Sequence, residues 1–316
     1  MGLMHMRLKI NILAIAILAA CSGGEPEPET VTKTISEAPI APIQSQSNET
    51  VDALRLYMLD CGLIEISDLD GFSSAGDYAG ISDTFTDTCW LLRHPKGNFL
   101  WDLGLPTGLV GSGQQTNGVF TLSMERTITD QLVEIGLFTS DIDMMSISHS
   151  HFDHSGQADQ FQSSKWIVHA DEYAAMFPPA SEGEYETSGE AVESDEGSPN
   201  PYVDFASLER EEFKGEYDVF GDGSAIIIPT PGHTAGHTSL LVNLPETGPV
   251  FLAGDLYHRV ESRKLKRVPR FNADEAMTLA SMELFEARAA ADGARIIIQH
   301  ELDDVADLPK SPSPIR

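Results

Sequence analysis

The feature that most constrains this chain is the run HSHFDH at residues 149–154, which places three imidazoles and one carboxylate within a single turn of backbone. The run follows an apolar segment that ends at Ser148, as expected where a buried strand leads into a loop. Zinc and related ions bind neutral imidazole nitrogens and carboxylate oxygens in a compact shell. We therefore predict a metal site at the end of this strand.

Three further motifs each place one ligand-type residue at the end of a short apolar segment: PGHT at 231–234, AGD at 253–255 and QH at 299–300. A lone His-x-His carries little information, because alternate residues of any strand point the same way. Here the ligand-type residues recur at one strand end after another, which predicts two metals. We assign His149, His151 and His233 to the first metal and Asp153, His154 and His300 to the second, with Asp255 as a bridge.

Two divalent cations at such a site suit the hydrolysis of an ester-like carbonyl. A pair of cations lowers the pKa of a shared water to about neutrality, and one of them polarises the carbonyl oxygen. The expected nucleophile is therefore a hydroxide that bridges the two metals. We expect two zinc ions per chain, although the ligand set leaves iron and manganese open.

The charge balance narrows the range of partners. The chain carries 49 acidic and 20 basic side chains, a formal net charge of -29. A surface this acidic repels phosphate backbones and anionic lipid head groups. We therefore expect no nucleic-acid partner and no electrostatic attachment to a membrane.

The N-terminal segment has the pattern of a targeting sequence. Arg7 and Lys9 precede an apolar stretch, residues 10–20, that is too short to span a bilayer as a mature helix. The run LAAC, which ends at Cys21, resembles a bacterial lipoprotein signal, in which cleavage before the cysteine leaves that residue to carry lipid. We predict a lipoprotein signal peptide over residues 1–20 and an exported, outer-membrane protein anchored at Cys21. An ordinary secretory peptide is the alternative.

Composition divides the remainder of the chain. Residues 21–51 are rich in Glu, Pro, Ser and Thr without hydrophobic periodicity, which predicts a flexible tether. The folded domain is expected over residues 52–316, because the 41% hydrophobic content suffices for a sizeable core. Within it, residues 181–196 are mostly Glu, Ser and Gly. They predict an acidic surface loop, either a rim over the site or a solvated excursion.

Strands and helices alternate along the domain, which predicts α/β layers in a single domain. Helices are expected over 124–136, 171–177 and 273–292, the last with Asn272 as its N-cap. This long helix is expected to bury an apolar stripe through Met277, Ala280, Leu284, Ala287 and Ala291. Strands are expected over residues 54–59, 86–93, 98–102, 144–148, 165–169, 225–229, 238–244, 250–253 and 295–299.

Two cysteines, Cys61 and Cys89, fall on predicted strands of the domain. An exported protein meets an oxidising environment, which permits a disulfide between them. A pair of buried thiols is equally compatible with their apolar surroundings. Neither cysteine has the Cys-x-x-Cys spacing of a zinc ribbon, so the metal site does not require them.

Taken together, the motifs resemble the metallo-β-lactamase superfamily from about residue 54 to the C-terminus, and within it the N-acyl homoserine lactonases, especially their exported bacterial branch. The resemblance implies a four-layer αββα sandwich with the dinuclear site at the strand ends. It also implies that Asp153 delivers a proton to the leaving oxygen. The segments that carry the lactonase resemblance are DCG at 60–62, WDLG at 101–104, HFDH at 151–154 and PGHTAGH at 231–237.

One position departs from the lactonases. Many of them have a tyrosine three residues after the bridging aspartate, where its hydroxyl can bond the substrate; this chain has His258 there, preceded by Tyr257. We expect a catalytic contact from His258 or Tyr257, with packing as the alternative for either side chain. Asp102 is expected to orient a ligand histidine from behind, and His237 to be structural.

The resemblance implies an enzyme that opens the ring of N-acyl homoserine lactones and so silences bacterial quorum sensing, with a homodimer left open. Together with the N-terminal segment, it leads us to expect an exported, lipid-anchored lactonase. Similar metal cores serve β-lactamases and thioester hydrolases of the glyoxalase type, whose specificity lies in loops. A mononuclear iron dioxygenase and a non-catalytic zinc-binding lipoprotein are the remaining alternatives. These proteins differ in metal and in substrate, so assays separate them.

Overall fold

Two β-sheets face each other across a shared apolar core in the computed structural model, which describes residues 51–179 and 200–316. Within those ranges the strands are β1 Arg55–Ile66, β2 Asp83–His94, β3 Gly97–Trp101, β4 Gln115–Asn117, β5 Phe120–Ser123, β6 Met144–Ser146, β7 Lys165–His169, β8 Arg210–Phe213, β9 Tyr217–Asp218, β10 Ala225–Pro229, β11 Thr238–Leu244, β12 Gly248–Leu252 and β13 Arg295–Ile297. The first sheet has the order β4-β5-β1-β2-β3-β6-β7-β8, and the second has the order β13-β12-β11-β10-β9. All nine predicted strands are present, several of them with shifted ends.

Helices flank both sheets. Over the same two ranges they are α1 Ile128–Ile135, α2 Phe152–Ser155, α3 Ala170–Met176, α4 Val260–Leu265, α5 Glu275–Asp292 and α6 Leu302–Val305. The predicted helix over 124–136 begins later than expected, because Thr127 and Asp130 form a capping box at its start. It ends at Gly136, as predicted, with the left-handed backbone that favours glycine.

Parallel strand pairs bring the predicted ligand segments together. β3 pairs in parallel with β6, with Trp101 opposite Ser146, so the segments that follow these two strands leave the first sheet at the same edge. β12 pairs in parallel with β13, with Leu252 opposite Ile297. Ligand sites in α/β folds commonly lie outside the carboxyl ends of parallel strands, because the loops that follow them share an edge. The same geometry accounts for the convergence of the motifs here.

Three apolar clusters define the layers. The central cluster combines Leu56 and Trp90 of the first sheet with Leu240 and Leu252 of the second, all fully buried. The outer face of the first sheet packs against α1 and α3, and the outer face of the second packs against α5. The order helix, sheet, sheet, helix confirms the αββα sandwich and the single α/β domain.

The buried face of α5 differs from its prediction. Met277 and Leu284, two residues of the predicted stripe, are 44% and 70% exposed. The buried face includes two hydroxyl residues, which the apolar pattern missed. Their burial is satisfied locally, since Thr278 Oγ1 donates to Asp274 O and Ser281 Oγ donates to Pro231 O. The buried residues are Thr278, Ser281, Met282, Phe285 and Ala289.

The N-cap of α5 also differs. Asp274 caps the helix by accepting a hydrogen bond from the Met277 N–H, whereas Asn272 was predicted. Asn272 lies two residues upstream and bonds a histidine of the site. The prediction was wrong because both residue types favour caps and only the backbone path distinguishes them.

Several predictions concern residues outside the described ranges. These are the signal peptide over 1–20, the anchor at Cys21, nearly all of the tether over 21–51, and the acidic loop over 181–196. Among the helices of residues 51–179 and 200–316, none has the length and apolar character needed to cross a membrane.

Candidate metal centre

All seven predicted ligands meet at one edge of the sandwich, in two groups. Within each group the ligand atoms lie within 4.8 Å of one another, and six of the seven residues are buried. Loops that follow β6, β10, β12 and β13 supply most of them, and the short helix α2 supplies Asp153 and His154. The first group is His149, His151, His233 and Asp255, and the second is Asp153, His154 and His300.

Nitrogen atoms converge at the centre of the first group. His233 Nε2 lies 3.2 Å from His149 Nε2 and 3.0 Å from His151 Nδ1. His233 Nδ1 faces Asn272 Oδ1 at 2.8 Å, so this nitrogen carries the proton and Nε2 presents a lone pair. Neighbouring lone pairs repel unless a cation lies between them. The donor set therefore fits a metal ion.

The second group has the same character. His154 Nε2 lies 3.1 Å from His300 Nε2, while His300 Nδ1 donates to the carbonyl oxygen of Thr86 at 2.9 Å. The Asp153 carboxylate stands 3.7 Å from His300 Nε2 at the outer side of the group, and the Asp153 side chain is 11% exposed. The bond between His300 Nδ1 and the Thr86 carbonyl oxygen is typical of metal sites, in which carbonyl oxygens orient the ligand histidines.

Asp255 lies between the two groups. Its Oδ1 is 3.1 Å from His154 Nε2 and 3.0 Å from His300 Nε2, and its Oδ2 is 3.4 Å from His233 Nε2. Each oxygen thus faces a different group. This is the geometry required of a bridging ligand, and the donor set as a whole fits two metal ions.

His237 and Gly254 hold the segment that carries Asp255. The Asp255 N–H donates to His237 Nε2 at 3.0 Å, and His237 Nδ1 faces the Thr230 carbonyl oxygen at 3.0 Å. Gly254 has φ 56, and a β-carbon there would lie 2.7 Å from His237 Nε2. The Gly-Asp motif therefore reflects a left-handed turn packed against His237. Both ring nitrogens of His237 bond backbone groups, which keeps this histidine outside the ligand set.

Asp102 supports the site from behind. Its Oδ2 is 3.2 Å from His154 Nδ1 and accepts from Gln299 Nε2 at 2.8 Å, and its Oδ1 accepts from the Ser148 N–H at 2.6 Å. Asp102 therefore contacts a ligand-type histidine without entering either group. The sequence pointed to this contact, but it gave no indication of the similar role of Asn272 toward His233.

His258 and Tyr257, predicted as alternatives, occupy different environments. His258 Nε2 is 3.1 Å from Asp255 Oδ2, so this side chain borders the cluster. Tyr257 points away from it, and its hydroxyl donates to Glu286 at 3.0 Å among the side chains packed against α5. The structure therefore places His258 beside the ligand cluster and Tyr257 among packing side chains, and a catalytic contact from either residue stays a prediction.

Aromatic rings line the side of the ligand cluster next to His258. The rings of Phe72, Phe85 and Phe271 lie 5.1, 6.2 and 5.9 Å from the His258 ring. Phe271 also lies 5.9 Å from the ring of His233. An apolar surface therefore adjoins the polar metal site.

Burial and charge act in opposite directions on the pKa values of the cluster. Desolvation, reinforced by neighbouring imidazoles, lowers the pKa values of His149 and His151 well below their usual range. Burial also lowers the pKa of His300, but the carboxylates of Asp255 and Asp153 outweigh this effect and raise the pKa to about 9. Lowered pKa values favour the neutral, metal-binding form of His149 and His151, whereas the carboxylates attract positive charge to His300.

Comparison with known proteins agrees with this geometry. The sequence profile of the metallo-beta-lactamase superfamily matches residues 83–300. The N-acyl homoserine lactonase AttM of Rhizobium radiobacter is 28% identical over 265 residues, which cover 82% of this chain and 97% of AttM. The N-acyl homoserine lactonase AiiA of Bacillus thuringiensis subsp. kurstaki is 26% identical over 222 residues, 68% of this chain and 81% of AiiA. A crystal structure of a quorum-quenching N-acyl homoserine lactone hydrolase superposes with a TM-score of 0.67 at 25% identity, covering 83% of this chain and 98% of that one.

Proposed function

Since this chain belongs to the metallo-β-lactamase superfamily, we propose that it is a metal-dependent hydrolase that opens the lactone ring of N-acyl homoserine lactones. The observation that carries the proposal is the pair of ligand groups joined by Asp255. The lactone is inferred from relatives that bear that activity in their names and align over nearly their whole length.

The residues of the site divide the chemistry among them. Two divalent cations, when bound, would supply the Lewis acidity that activates a water and polarises the ester carbonyl. All seven ligand side chains, with Asp255 as the bridge, would hold these ions in place. Asp153, at the outer side of the second group, would carry the proton from the attacking water to the ring oxygen as the carbon–oxygen bond breaks.

We propose zinc as the metal. Imidazole and carboxylate donors in a compact, buried arrangement suit zinc, and a d¹⁰ ion imposes no geometry of its own on the ligands. Iron and manganese accept the same donors and are distinguished by elemental analysis of the purified chain. Two equivalents of zinc are expected, and one equivalent of iron would support a dioxygenase instead.

The substrate assay compares three chemistries on the metal-loaded chain: N-hexanoyl homoserine lactone, a cephalosporin and a glutathione thioester. We expect lactone hydrolysis with kcat/KM on the order of 10⁴ M⁻¹s⁻¹ or more. Hydrolysis confined to the cephalosporin or the thioester would reject the lactonase proposal. Absence of all three activities from a chain that binds two metals would favour a non-catalytic metal-binding role.

His258 provides a test of substrate contact. We expect His258→Ala, assayed with both metals loaded, to lower kcat/KM about 10- to 100-fold, because a hydrogen bond to the developing charge on the substrate is lost. His258→Tyr should retain more activity than His258→Ala, since it restores the hydroxyl found in related lactonases. Tyr257→Phe is the matched control and removes only the bond to Glu286. Equal losses in Tyr257→Phe and His258→Ala would contradict the assignment.

We also propose that the mature protein is exported and held at the outer membrane by lipid on Cys21. The proposal is supported by the basic and apolar N-terminal segment that ends in LAAC. Detergent-phase partitioning of the chain produced in a bacterial host tests it. The wild-type chain should enter the detergent phase and Cys21→Ser should not; a wild-type chain that stays in the aqueous phase would support a secreted form.

A further inference from the structure

We propose that Glu172, on α3, is a positioning residue that holds the two loops carrying the histidines of the first metal group. The inference rests on the proposed metal site but not on the identity of the substrate. The side-chain hydrogen bonds of Glu172 go to Ser150, Thr234 and Gly236, which flank the ligands, so Glu172 would act through the backbone on either side of them.

The contacts of Glu172 link segments that are distant in sequence. Its Oε1 accepts the Ser150 N–H at 2.7 Å, and Ser150 separates His149 from His151. Its Oε2 accepts from Thr234 Oγ1 at 2.7 Å and from the Gly236 N–H at 2.9 Å, in the loop that begins with His233. One carboxylate thus connects both loops that supply imidazoles to the first group.

The packing around Glu172 leaves little room for adjustment. The residue is 1% exposed. A β-carbon on Gly236 would lie 2.2 Å from the Glu172 backbone nitrogen, so the loop and the first turn of α3 are in direct contact. A displacement of this turn would therefore be transmitted to the loop that carries His233.

The chemistry of the contacts requires a carboxylate. Two of the three partners are backbone N–H groups, which can only donate, and a carboxylate offers acceptors on both oxygens. A glutamine of the same shape would present an NH₂ group to either the Ser150 N–H or the Gly236 N–H. Because the site is buried, the opposed donors would force one loop away from the other.

The test measures metal binding by Glu172→Gln in the full chain. We expect titration with Zn²⁺ to show one site weakened about 10- to 100-fold, as is typical when a partner outside the ligand set is lost. The other site should be much less affected, because none of the contacts given above reaches Asp153, His154 or His300. The visible spectrum of the Co²⁺-loaded variant should resemble that of His233→Ala more than that of His300→Ala.

Asp171→Asn is the matched control, since Asp171 lies on the same turn of α3 and its side chain is 59% exposed. It should bind both metals within about twofold of the wild-type affinity. If Glu172→Gln does not fold, Thr234→Val decides, because it removes one donor and leaves the Ser150 and Gly236 bonds; about tenfold weaker binding at one site is expected.

Wild-type affinity at both sites in the folded variant would overturn the inference. Equal weakening of both sites together with a lowered melting temperature would also overturn it, since that pattern indicates a general structural role. No lactone is used in these titrations. A chain that behaves as expected here but does not hydrolyse lactones would therefore refute only the proposed function.

Discussion

Replacing Asp255 by alanine should remove two-metal binding and lower hydrolysis about a thousandfold or more. The carboxylate faces both ligand groups, with oxygen–nitrogen distances of 3.0–3.1 Å to the second and 3.4–3.5 Å to the first. Its loss would take one carboxylate oxygen from each ligand group and remove negative charge that would offset two bound dications. Lewis-acid stabilisation by the metals is worth several kcal/mol, which corresponds to about a thousandfold in rate.

The measurement is the metal content of purified Asp255→Ala together with its rate of hydrolysis. Asp218→Ala is the control, because Asp218 accepts the backbone N–H groups of Gly221 and Gly223 in an exposed turn away from the site. It removes the same charge and should keep both metals. Two equivalents of metal retained by Asp255→Ala would contradict the bridging role of this residue.

The convergence of the ligands could be predicted from the sequence because it depends on local features. Each motif follows a short apolar strand, and strands that pair in parallel deliver their following loops to one edge. Asp153 and His154 lie within the one-turn helix α2, which directs both toward the second group. Residue type and order along the chain were sufficient for these assignments.

The choice between Tyr257 and His258 could not be made in the same way. Tyr257 follows a short 3-10 turn, Gly254–Leu256, and has extended backbone angles. Successive side chains of extended backbone point in opposite directions, so only one of the two can border the cluster. Which one does so depends on the rotation of the preceding turn, and the sequence does not specify that rotation.

Glu172 and Asn272, which contact the ligand loops from outside the ligand set, were harder to predict because their contacts are long-range. Glu172 is 64 residues from Gly236, and Asn272 is 39 residues from His233. Neither belongs to a recognisable motif. A glutamate in a helix is usually solvated, and an asparagine before a helix is usually a cap. Residue type alone therefore predicts a solvent-exposed Glu172 and a capping Asn272, and both predictions are wrong. Tertiary packing decides their roles.

The cysteine pair, which the sequence left open between a disulfide and two thiols, forms a disulfide between β1 and β2. We expect removal of this bond to lower the free energy of unfolding by about 3.5 kcal/mol, because the bond closes a loop with a sequence separation of 28 residues. For a domain of this size the melting temperature should fall by roughly 6 °C. Thermal unfolding of the Cys61→Ala/Cys89→Ala double variant measures the loss.

The reduced wild-type chain is the appropriate control, since it keeps both sulfur atoms and separates the crosslink from packing. Cys61 and Cys89 are fully buried, so reduction requires unfolding in a thiol reductant followed by refolding. Equal melting temperatures for oxidised and reduced chains would show that the bond adds no stability.

The disulfide lies next to Gly104, whose carbonyl accepts the Gly156 N–H close to His154. Metal binding should nevertheless persist at 25 °C, because that hydrogen bond does not depend on the crosslink.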